Sequence, residues 1–121
     1  MSTKSFLSIS AVIGIAYALG FLIAPEAMAD IYGVLVNQSS ILEIRFFGTA
    51  LLGLGLIFAN LRNVTDRAVL RGLLTAFAIS NAAGIGVSAW GTMSGVMNQL
   101  GWSATAIYAL LLVGCFVTMP E

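Results

Sequence analysis

A chain of 121 residues with 60% hydrophobic and only 8% charged residues lies far from soluble domains, about 25% of whose residues are charged. Five basic and five acidic residues cancel, so no basic surface is available for nucleic acid. With no histidine and a single cysteine, Cys115, histidine-ligated zinc or haem and an internal disulfide are excluded.

A membrane span takes about 20 mostly apolar residues. Four such runs fit, at about 5–24, 41–60, 67–90 and 101–119, joined by short links. They predict an all-α fold: an antiparallel four-helix transmembrane bundle, one integral membrane domain over residues 1–121. A short interfacial helix at about 25–33 is expected after the first span.

The first run follows Lys4 and precedes Ala27-Met28-Ala29, the outline of a secretory signal. Its apolar stretch exceeds the roughly 7–15 residues of a signal core, which favours an uncleaved span. Ser10, Gly14 and Ala18 recur every four residues and give that helix a small packing face. Pro25 suits the first turn of the short helix, where its missing N–H costs nothing. Glu26 and Asp30 lie one turn apart on it, Tyr32 is expected at headgroup level, and Gly33 is a natural stop. Asn37-Gln38-Ser39-Ser40 reads as a polar turn, with Ser40 and Glu43 spaced as a capping box for the second span.

The second span, 41–60, is the centre of the predicted bundle. Arg45, Gly48, Leu52, Gly55 and Ala59 follow at steps of three and four and share a face. Small residues there let a neighbouring helix come close. On the third span Asn81, Gly84 and Ser88 share a face, with Asn81 expected to bond across helices. A loop follows from about Gly91 to Leu100, and Trp90 and Trp102 flank it as part of an aromatic belt. Lys4, Arg62, Arg67 and Arg71 fall on one side of the four spans and only Arg45 on the other. The positive-inside rule then makes both termini cytoplasmic.

Arg45 is the leading candidate for function. Lying about 6 Å along the axis from the start of its span, it must snorkel or pair. It can pair with Glu26 or Asp30 to tie the surface helix down, or hold an anion such as a lipid phosphate or a substrate carboxylate. Arg45, Asn81, Glu26 and Asp30 are therefore the candidate ligand-binding residues. Glu26 and Asp30 also have the form of a catalytic carboxylate pair, but nothing else indicates a sugar site. Met93 and Met97 have the spacing of a Cu(I)-selecting thioether pair, yet they sit in a glycine-rich loop without cysteine. Without histidine, and with Cys115 far from any charge, the common acid/base machinery is absent.

Pro25-Glu26 and Tyr32-Gly33 after span one, Arg45-Phe-Phe-Gly48 opening span two, and Gly101-Trp102 opening span four give a layout that resembles the small bacterial four-span proteins grouped as DoxX-like. The resemblance implies a bacterial inner-membrane location and makes a lipid or quinone ligand, or a respiratory complex, admissible. It assigns no site residue. The expectation is a non-enzymatic membrane protein without a resident cofactor, self-associating or accessory to other membrane subunits. The rival expectation is a binder or carrier of a lipophilic or anionic small molecule at the outer leaflet.

Overall fold

The computed structural model describes residues 1–121 and contains five α-helices and no strand. They are α1 (Thr3–Ile23), α2 (Pro25–Ile31), α3 (Gln38–Leu61), α4 (Arg67–Met93) and α5 (Gly101–Val117). The helices α1, α3 and α4 are long and apolar enough to cross a bilayer; α5, at 17 residues, sits at the short end of the usual range of about 17–25.

Three of the five helices start where a side chain can replace a missing carbonyl partner. Ser2, Asn37 and Asp66 cap α1, α3 and α4, accepting from the backbone N–H groups of Ser5, Ser40 and Val69. The expected capping box at Ser40 and Glu43 is not formed. Asn37 takes the cap, and both the backbone N–H and the hydroxyl of Ser40 are directed to its Oδ1, at 3.0 and 3.1 Å. This moves Glu43 beyond the first turn. The helix α2 stops earlier than expected, in a Schellman closure: Val34 N–H bonds to Ala29 O at 2.9 Å and Gly33 N–H to Asp30 O at 3.0 Å. That closure needs Gly33 at φ +67°, a left-handed conformation that favours glycine.

The long helices form two antiparallel pairs. In the first, α1 lies along α3 with small residues in contact. A Cβ on Gly48 would stand 3.0 Å from Phe21, and one on Gly55 would stand 2.8 Å from Ile15 and 3.3 Å from the Ala11 carbonyl. Gly14 faces Gly55 in turn. The two small faces read from the sequence thus pack on each other. In the second pair α4 lies along α5, where Gly84 makes room for the Tyr108 ring and the Ser88 hydroxyl meets the Thr105 hydroxyl at 2.8 Å.

The pairs join firmly at one end only, the end that carries both termini. There Phe77 of α4 meets Phe58 of α3 edge-on, with centroids 4.6 Å apart, and Phe6 of α1 at 6.2 Å. Leu7, Ala11, Leu70, Leu74, Ala78 and Cys115 complete this core. Gly114 lets the Phe6 ring lie against α5. Outside the core, Thr3 donates to the Thr118 carbonyl at 2.8 Å, while Arg67 and Arg71 hold the carbonyls of Glu121 and Pro120.

Candidate functional site

Away from that core the two pairs separate and border a half-open cavity of about 350 Å³, to which all five helices contribute. Its lining includes Leu51, Gly84 and Ser88 together with Phe21, Phe47 and Ile107. The helix α2 and the following corner lie over it. That corner is fixed to the α4–α5 loop by one residue, Asn98. Its backbone N–H donates to the Tyr32 carbonyl at 2.7 Å, and its Nδ2 donates to the Ile31 carbonyl at 3.1 Å. Its Oδ1 accepts from Leu100 N–H at 3.0 Å, so both ends of the amide are engaged.

Of the sixteen lining residues only Gly84 and Ser88 are not hydrophobic, and none is charged. The polar atoms that remain come from tyrosines. The chain has three, Tyr17, Tyr32 and Tyr108, and all three line this cavity. The hydroxyls of Tyr17 and Tyr32 lie 3.4 Å apart, long for an O–H···O bond, and the Tyr108 ring lies against Gly84 on the same lining. Ser88 is different: its Oγ lies 2.7 Å from its own helix's Gly84 carbonyl and 2.8 Å from Thr105, so its capacity is used.

The residues singled out in the sequence fall elsewhere. Arg45, Glu26 and Asp30 are exposed, and none lines the cavity. Arg45 makes no ion pair with Glu26 or Asp30 and no side-chain hydrogen bond; its expected tie to the surface helix is replaced by Asn98. Asn81 is buried in the closed core, where its Nδ2 bonds back to the Phe77 carbonyl at 2.9 Å in its own helix and its amide approaches Cys115 of α5. The structure does not bring these four together. Tyr32, expected at a headgroup surface, turns inward to Tyr17, whereas Trp90 and Trp102 are exposed near the α2 end. Met93 points away while Met97 packs on Gly91 and Gly101, so the two do not form a thioether pair.

No protein-family model, curated protein or solved structure matches the chain. Function has to be argued from the site.

Proposed function

We propose that this chain is an integral membrane protein, bacterial and of DoxX-like kind, that binds a lipophilic small molecule in the cavity between its two helix pairs. The carrying observation is the cavity itself, within the usual ligand-site range of about 300–1,000 Å³ and lined almost wholly by apolar side chains. Membrane residence is supported by the outward surface. Within the helices Val12 and Ile79 are 68% exposed, Val87 70% and Leu110 72%, a distribution that water does not tolerate over whole helices. Lys4, Arg62 and Arg67 border one depression at the termini end, with Arg71 beside it, in keeping with cytoplasmic termini and a cavity in the outer half of the bilayer.

The lining contains no carboxylate, amine or thiol, and the Ser88 hydroxyl is spent, which supports binding or carrying over chemical conversion. The test is native mass spectrometry of protein released gently from its own membrane. Native protein is expected to carry a stoichiometric small hydrophobic mass. Ala104→Trp, which places an indole in the cavity, is expected to lose it. Native protein without such a mass, or retention by the filled variant, would refute the proposal.

A second reading, association with itself or with other membrane subunits, has one observation in its favour. A Cβ on Gly53, Gly72 or Gly86 would meet nothing within 4 Å, leaving bare backbone on outward faces where another helix can approach. Co-purifying subunits in the same experiment would support it.

A further inference from the structure

We infer that the cavity selects a neutral lipophile whose polar end is a carbonyl or hydroxyl oxygen, held by the phenols of Tyr17, Tyr32 and Tyr108. The inference rests on the cavity being a binding site and specifies what enters it.

Polar capacity makes the argument. Three phenolic hydroxyls carry three protons, and the only protein contact available to any of them is the long Tyr17–Tyr32 approach at 3.4 Å. At least two O–H donors therefore have no acceptor in the protein. Ser10 is the one buried side chain whose polar atom is both sealed and unpartnered, so the unbonded Tyr108 hydroxyl is not sealed off, while Tyr17 and Tyr32 have only each other. In apolar surroundings an unpaired donor is costly, and a phenol donates more readily than it accepts. The missing partner is an acceptor oxygen on the ligand.

Charge decides the rest. A carboxylate or phosphate end would enter a site without a cation, since Arg45 is outside the lining. An ammonium end would find no carboxylate. Either would be desolvated without a counter-charge, which a neutral head avoids. Tyr32 is the phenol with a defined support. Both bonds from Asn98 fix its corner, and a Cβ at Gly33 would stand 3.1 Å from the Asn98 amide, so that junction has no slack. The corner carries the phenol toward Tyr17, and the ligand's tail is left to the aliphatic walls.

The experiment uses the full chain in phosphatidylcholine nanodiscs with radiolabelled methyl undecyl ketone. Unlabelled ketone, tridecane and tridecanoate serve as competitors, and Tyr17→Phe, Tyr32→Phe and Tyr108→Phe are combined in one variant. In native protein tridecane and tridecanoate are expected to compete about tenfold more weakly than the ketone, the equivalent of one to two net hydrogen bonds. The triple variant is expected to bind ketone about tenfold more weakly and to lose the preference over tridecane. Equal competition by tridecane in native protein would overturn the head-group inference and leave the cavity as a binding site. Equal competition by tridecanoate would overturn neutrality. No saturable binding of any probe would overturn both. The comparison within native protein does not depend on the variant folding.

Discussion

Phe77→Ala removes the ring on which the two helix pairs meet. In water, a core Phe→Ala change costs about 3–5 kcal/mol, of which about 1.5–3 is transfer of the side chain out of water. Lipid is itself apolar, so the transfer part falls away and packing remains, about 2 kcal/mol. The perpendicular contact with Phe58 at 4.6 Å adds about 1 kcal/mol, and the tilted contact with Phe6 at 6.2 Å adds less. The expected loss is therefore about 3 kcal/mol, measured by reversible unfolding in bicelles. A double-mutant cycle with Phe58→Ala is expected to return a coupling of about 1 kcal/mol. Leu110→Ala, on an outward face at 72% exposure, is the control and is expected to cost almost nothing. A Phe77→Ala loss below about 1 kcal/mol, or a cycle without coupling, would refute the idea that this ring joins the pairs.

The glycines of α3 are expected to divide by position. Gly55→Leu, whose Cβ would stand 2.8 Å from Ile15, should lower stability by about 1–3 kcal/mol, and Gly53→Ala, with open space beside it, should raise it by about 0.5–1. Thermal unfolding of the two variants side by side checks this. Asn98→Ala is expected to speed amide exchange in Pro25–Ile31 and the following corner while leaving α1 and α3 protected, since it removes the side-chain half of the tie over the cavity and leaves only the backbone bond to Tyr32. Ser10→Ala is expected to be neutral or to stabilise by about 1 kcal/mol, because it removes a buried hydroxyl without a partner.

The helices and their tight faces were legible because they are written in one helix at a time. Apolar length marks a span, and small residues at steps of four mark a close face, so Ser10-Gly14-Ala18 and Gly48-Gly55 could be found and in fact pack together. Which helices pair, and where the pairs part, is not local information. Helices apolar on every side carry little directional signal, so no one face of α1 or α5 points toward a cavity. Charge drew attention to Arg45, Glu26 and Asp30, yet in an apolar site the informative groups are neutral. Tyr17 and Tyr108 read as ordinary span residues. One signal was available: Tyr17 is six residues from the end of α1 and Tyr108 seven from the start of α5, both about 10 Å deep on the same side of the bundle as Tyr32. Three phenols gathered at one level of an otherwise apolar bundle are a polar layer, and the layer is visible once depth rather than helical face is tallied.

The space between the two helix pairs is half open, so it is continuous with whatever surrounds the helices. The closed core at the termini end, with its aromatic contacts and the ties from Thr3, Arg67 and Arg71, holds the pairs together without demanding that the other half collapse. On the proposed membrane reading, the open half is filled from its surroundings, and the default filler is an acyl chain. An acyl chain satisfies the walls and leaves the phenols unpaired. A molecule with the same apolar body and one acceptor oxygen satisfies both, so its advantage over bulk lipid lies almost wholly in the head. On the proposed reading, selectivity in this site is thus a matter of a few hydrogen-bond donors in a place where lipid has no partner to give them.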